Sequence, residues 1–165
     1  NKNRGGSKDR QNERDKSNGV YKNYFEKGNF GNEYWNLGIV DGGCPKNVAG
    51  KSWIKCYADA SDLKTIKASP SDEAFEFGPS PMYKSTQKVS IPVKLGTKET
   101  ELSVHLVDCD VPLLISEDQL EYWEAKEDHK NKTLAIKQDG WTAMILLVKM
   151  ISGHSGLNLL GDTSV

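Results

Sequence analysis

The chain has 165 residues, 36% hydrophobic and 27% charged, with a formal net charge of -1. That length suffices for one domain with a sizeable core, and the near-neutral balance argues against a nucleic-acid surface, which draws on concentrated Lys and Arg. No apolar run approaches membrane-spanning length, and Cys44, Cys56 and Cys109 are too widely spaced for a disulfide framework or a zinc pair, so a reducing, cytoplasmic setting is expected with no metal and no cofactor.

Residues 1–18 contain no aliphatic or aromatic side chain and mix both signs of charge. Such a segment cannot bury enough apolar surface to offset its ordering entropy, so it is read as a disordered tail or linker. The folded domain is expected over 19–161, with 162–165 as a frayed end. Tyr21, Tyr24, Phe25 and Phe30 bring in aromatics, but Gly28, Gly31 and Asn32 interrupt any regular pattern.

Tyr34, Trp35, Leu37, Ile39 and Val40 read as a strand that runs into Asp41. Gly42 and Gly43 follow, residues that permit a positive φ or the close approach of another backbone, and then Cys44-Pro45. A carboxylate at the end of a rigid strand, before a tight turn, suits chemistry; on these residues alone it equally suits an ordinary surface turn.

Lys51 to Ser61 is predicted helical, with Trp53, Ile54, Tyr57 and Ala58 on one face and Ser52 as a possible cap. A second short helical piece is predicted over Asp62 to Ala68, ended by Pro70. From Ala74 the period becomes two. Phe75 and Phe77 lead into a Gly78-Pro79-Ser80-Pro81 turn, and Val89, Ile91 and Val93 form a strand in which Pro92 points to an edge or bulge. Leu95 to Glu99 turns the chain into the Leu102, Val104, Leu106 strand.

Asp108 to Pro112 is a turn, Val111, Leu113, Leu114 and Ile115 make an apolar strand, and Ser116 caps a short helix with Gln119 at capping-box spacing. Thr133 to Ile136 and Trp141 to Met150 form a hairpin across Asp139-Gly140, and residues 153–160 supply a last strand. The whole is an antiparallel-rich, all-β domain with one or two short helices.

Asp41 is the leading catalytic candidate. Hydrolysis of a peptide by carboxylates needs two of them sharing one proton across a bound water. One chain offers a single Asp of this kind, so the second must come from a two-fold copy. His105, His129 and His154 are isolated from one another and read as structural or surface residues, and Cys44 reads as a small buried hydrophobe behind the turn.

Three segments in order resemble the retropepsin-like aspartic proteases of retroelement polyproteins: Ile39 to Cys44 as the catalytic turn, Phe75 to Ser85 with Val89 to Gly96 as flap hairpin and paired strands, and Asp110 to Leu120 as the apolar strand running into a helix. The resemblance implies a closed acid-protease fold with one active-site half per chain, a homodimer, and an extended polypeptide substrate. It makes Asp41 half of a catalytic dyad within an active-site turn that includes Gly42 and Cys44. It brings Gly43, Phe77 and Gly78 to the substrate backbone and gives Leu114 and Ile115 side-chain pockets. Gly42 stands where that family carries Thr or Ser, whose hydroxyl ties the two turns together. The alternatives are a weakened or inactive retropepsin-like dimerisation or peptide-binding domain, and an unrelated β-barrel interaction module.

Overall fold

The computed structural model describes residues 35–79, 81–150 and 152–161. The polar tail, the aromatic segment around Tyr21 to Phe30 and the residues from Asp162 onward lie outside the described residues.

Strand β1 (Leu37–Val40) is flanked antiparallel by β11 (Ser155–Asn158) and parallel by β6 (Leu113–Ile115). β6 in turn lies antiparallel to β2 (Val48–Gly50). A strand from late in the chain is thus inserted between β1 and β2, which are consecutive in sequence and joined by the loop that carries Asp41. β2 continues parallel to β5 (Lys98–Val107), β5 pairs with β4 (Tyr83–Leu95), and β4 pairs with β3 (Lys67–Phe75). With β10 (Val148–Lys149) beyond β11, the sheet has eight strands in the order β10-β11-β1-β6-β2-β5-β4-β3. The chain after β11 then reaches β4: the Lys94 amide donates to the Leu159 carbonyl at 2.7 Å, and Lys94 bridges Leu160. That contact closes the sheet on itself.

Alternation builds the interior. Val89, Ile91, Val93 and Leu95 on β4, with Leu102, Val104 and Leu106 on β5, point inward and are buried. Pro92 pairs with Glu101 on the β5 side, while β3 ends opposite Ser90. The proline therefore lies where β4 has lost its β3 neighbour, as a strand proline requires.

Helix α1 (Lys51–Ala60) buries Trp53, Ile54 and Tyr57. The Trp53 and Tyr57 rings stack at 5.2 Å, and the Tyr57 hydroxyl donates to the Pro92 carbonyl at 2.5 Å. Each such side chain contributes about 1.5–3 kcal/mol of apolar burial. The expected Ser52 cap is not formed. Gly50 is the N-cap, without a side-chain bond, and the Ser52 hydroxyl instead bonds the Asp110 carboxylate at 3.2 Å. Gly50 is demanded by packing, since a Cβ there would lie 2.2 Å from the Cys109 carbonyl oxygen.

The second helical piece expected over Asp62 to Ala68 is absent. Asp62 takes a φ of 56°, which ends helical propagation, and strand β3 begins at Lys67 and runs through Pro70. Helix α2 (Glu117–Tyr122) follows β6 directly, with the Ser116 hydroxyl accepting from the Gln119 amide at 3.1 Å.

A second sheet, β7-β8-β9, is built from Lys126–Asp128, Thr133–Gln138 and Trp141–Leu146. Asp139 and Gly140, at φ 35° and 85°, make the two-residue turn between β8 and β9, the geometry that Asp-Gly favours. The segment expected as one strand from Trp141 to Met150 is divided, because Leu147 leaves the small sheet to bond Lys132 and β10 joins the large one. Buried Trp123 locks the two sheets: its indole donates to Gln138 at 2.9 Å, and Gln138 donates to the Thr100 hydroxyl at 3.0 Å. No described helix is long and apolar enough to cross a membrane.

Candidate active site

Asp41 is the first residue past β1, half-buried, at the mouth of the loop to β2. Its amide donates to the Ile115 carbonyl at 3.1 Å, one step beyond the last β1–β6 pair. Its carbonyl accepts from the Cys44 amide at 3.2 Å, closing the turn. Its carboxylate oxygen Oδ1 accepts from the Gly43 amide at 3.0 Å. The backbone of Asp41 is therefore tied on both sides, and one carboxylate oxygen is oriented by an Asx-turn bond.

Neither Gly42 nor Gly43 has a positive φ. A Cβ at Gly42 would meet nothing within 4 Å, whereas one at Gly43 would sit 3.3 Å from Asp41 Oδ1. At 43 a side chain would crowd the Asp41 carboxylate, whereas packing within the chain leaves room for one at 42.

Cys44 is buried beneath the turn, its thiol donating to the Lys46 carbonyl at 3.1 Å. Burial above all, with the neighbouring Asp41 charge adding to it, raises its pKa to about 11. A thiol held protonated at neutral pH is a poor nucleophile, which agrees with its reading as a packing residue. Cys109 is raised further, to about 12, by burial and then by Asp110 and Asp108.

Between β3 and β4 the chain turns at Gly78, which takes a φ of 66°. Phe77 is buried and packs between Phe75 and Tyr83, at centroid distances of 6.4 and 6.0 Å. Phe75 also meets the His105 ring at 5.8 Å, and His105 Nδ1 shares a 2.7 Å hydrogen bond with the Ser71 hydroxyl. His105 thus fastens the base of the hairpin to β5, the structural role expected of it. Exposed His129 pairs with Glu127 at 2.6 Å. Leu114 and Ile115 are 1% and 0% exposed and form the floor under the Asp41 loop rather than an open surface of the single chain.

One residue that braces the loop is marked by no pattern in the sequence. Asn47 is buried at the far end of the loop. Its side-chain oxygen accepts from the Ser116 amide at 2.8 Å, and its Nδ2 donates to the Ser103 carbonyl at 3.1 Å and to Gln119 Oε1 at 3.0 Å. The capping box expected between Ser116 and Gln119 is therefore relayed: Gln119 does not close on the Ser116 amide, and Asn47 stands between them. The Cys44 carbonyl accepts from the Glu117 amide at 2.9 Å, which satisfies the first exposed donor of α2. Beside this junction a shallow cavity of about 210 Å³ is lined in part by Lys46, Asn47, His105 and Asp118, with Lys46 bonded to Asp118 at 2.7 Å. Among the described residues no group of three or more His, Cys, Asp or Glu side chains is placed to hold a metal ion.

No protein-family model matches the sequence, and no curated protein matches it. Among solved structures the chain is similar to the retroviral protease-like domain of Ddi1 from Leishmania major, at 20% identity and a TM-score of 0.40, over 62% of this chain and 78% of that one.

Proposed function

We propose that the chain is one half of an aspartic endopeptidase, completed when a second copy brings its own Asp41 to face the first across a two-fold axis. The observation that carries this reading is the fixation of Asp41. The residue is held through its amide by β6 and through its carboxylate by Gly43, on a loop whose two flanking strands straddle β6. A side chain fixed by backbone at the end of a sheet is preorganised at little entropic cost.

In the dimer, two Asp41 carboxylates share one proton, because like charges at hydrogen-bonding distance do not both ionise. The ionised member takes a proton from a bound water, and the protonated member gives its proton to the substrate carbonyl as the water oxygen attacks. An extended polypeptide lies between this floor and the turn at Gly78, with Gly43, Phe77 and Gly78 nearest its backbone. Leu114 and Ile115 shape the ground beneath. The cytoplasmic setting fits three cysteines that are all free thiols, and the polar residues 1–18 fit a joint in a retroelement-type polyprotein.

The test pairs Asp41→Asn with the native chain. Native protein should cleave an unfolded polypeptide at mildly acidic pH, sediment as a dimer and be blocked by a statine-type transition-state analogue. D41N should lose cleavage and keep the dimer. Cleavage that survives D41N would reject the proposal, and a native dimer that neither cleaves nor binds the analogue would leave a dimerisation or peptide-binding domain.

A further inference from the structure

The Asp41 loop is fastened to one short stretch of backbone, Ile115-Ser116-Glu117. The Ile115 carbonyl accepts from the Asp41 amide at 3.1 Å, the Glu117 amide donates to the Cys44 carbonyl at 2.9 Å, and the Ser116 amide donates to Asn47 Oδ1 at 2.8 Å. Two of these three bonds use loop backbone. The third uses a side chain, and that side chain is 6% exposed.

The amide of Asn47 has its other bonds to β5 and α2, through the Ser103 carbonyl and Gln119 Oε1. Its backbone carbonyl accepts from the His105 amide at 2.9 Å. One residue thus joins the loop to β5, to the β6–α2 junction and to α2. Asparagine suits this place: it offers one acceptor to an amide and two donors to two acceptors, a combination that aspartate, serine and leucine each lack.

We propose that Asn47 is a positioning residue for Asp41, holding the loop on the β6–α2 junction so that the carboxylate keeps the height and direction the dyad needs. This rests on the peptidase reading above. The link runs from Asn47 to Ser116, through the adjacent Ile115 carbonyl to the Asp41 amide, and in parallel through the Glu117 amide and Cys44 to the Asp41 carbonyl. Removing the side chain leaves this end of the loop held by backbone alone, through the His105 amide and β2, and cuts its link to Ser116, while the other end carries the reacting group. Misplacement of such a group by about 1 Å costs roughly 10²-fold in rate.

The experiment uses the full chain with Asn47→Ala, Asn47→Asp, Gln119→Leu and Gln119→Glu, and with Ile145→Val in the small sheet as a destabilised control. N47A and N47D should lower kcat by roughly 10²-fold with KM little changed, the signature of lost transition-state geometry. Loosening the pair should also bring its two apparent pKa values together, so the acid and alkaline limbs of the pH–rate profile should close toward each other. Q119L should show the same effects in smaller measure, and Q119E, which keeps the acceptor, should restore them. I145V should move none of these.

Amide exchange separates this proposal from the peptidase reading. In N47A, or in Q119L if N47A does not fold, exchange at Cys44 and Glu117 should accelerate well beyond that at β8 amides. If exchange at those two amides rises only in step with β8, or if kcat and the pH profile follow thermal stability alone, Asn47 is merely structural and the proposal is overturned. If native cleavage proves independent of Asp41, the peptidase reading fails, and accelerated exchange at Cys44 and Glu117 would then support loop positioning without catalysis.

Discussion

The Gly43 amide donates to Asp41 Oδ1 at 3.0 Å. An asparagine at 41 can keep this bond through its own side-chain oxygen, and the backbone bonds to Ile115 and Cys44 do not depend on the side chain at all. D41N therefore removes the ionisable proton without disturbing the turn. Cleavage should fall by roughly 10²–10⁴-fold, the usual worth of general acid–base groups, while thermal melting shows no loss of folded protein. A matching loss of stability would mean that the carboxylate serves the fold.

The two glycines of the turn should respond in opposite ways to substitution. At Gly42 a Cβ meets nothing within 4 Å, and the residue is not in the left-handed region. Gly42→Ala should stabilise by about 0.4–1 kcal/mol, through the narrower unfolded ensemble, and Gly42→Ser should add a hydroxyl able to bond across a dimer axis. G42S should raise kcat/KM and tighten the dimer relative to G42A, read by cleavage assay and sedimentation. At Gly43 the added Cβ lies 3.3 Å from Asp41 Oδ1. Gly43→Ala should push the carboxylate off its bond and lower activity with little change in melting temperature.

The segments legible in the sequence were those with one buried face. β4 and β5 alternate cleanly, Asp139-Gly140 announces its turn, and Leu37 to Asp41 runs apolar into a carboxylate. The first part of β3 gives no such signal, because Lys67, Ala68, Ser69 and Pro70 are all exposed on an edge strand. β7 is Lys-Glu-Asp, a charged edge of the kind that deters further pairing. Asn47 was hidden for a different reason. A buried amide that bonds residues 56, 69 and 72 positions away leaves no local pattern.

Cys44 lies three residues from Asp41, and its reactivity tells the two chemistries apart. With its pKa raised to about 11, chiefly by burial, the thiol is protonated at neutral pH. Iodoacetamide at pH 7 should modify the native chain at Cys44 far more slowly than the unfolded chain, and peptide cleavage should persist after treatment. Cys44→Ala should retain activity at a modest cost in stability, about 1 kcal/mol for lost packing. Rapid alkylation at Cys44 with parallel loss of cleavage would point to a thiol nucleophile instead.

His105 sets how the hairpin behaves in acid. Burial is the main cause holding its pKa below the ordinary 6.5, opposed by Glu73 and assisted by Lys88 and Lys46. With the folded value depressed, the unfolded chain binds the proton more readily. Neutral His105 therefore favours the fold fully above pH 6.5, and that advantage is lost as pH falls from 6.5 through the folded pKa. Protonation also puts a cation beside the Phe75 ring and fixes Nδ1 as the donor in its bond with the Ser71 hydroxyl. An NMR titration should place the His105 ring below 6.5, with the Ser71 and Phe75 resonances moving at the same midpoint. His105→Gln should flatten the fall in stability between pH 6.5 and that midpoint. A His105 titration above 6.5 would reverse the sign, making the hairpin base firmer in acid.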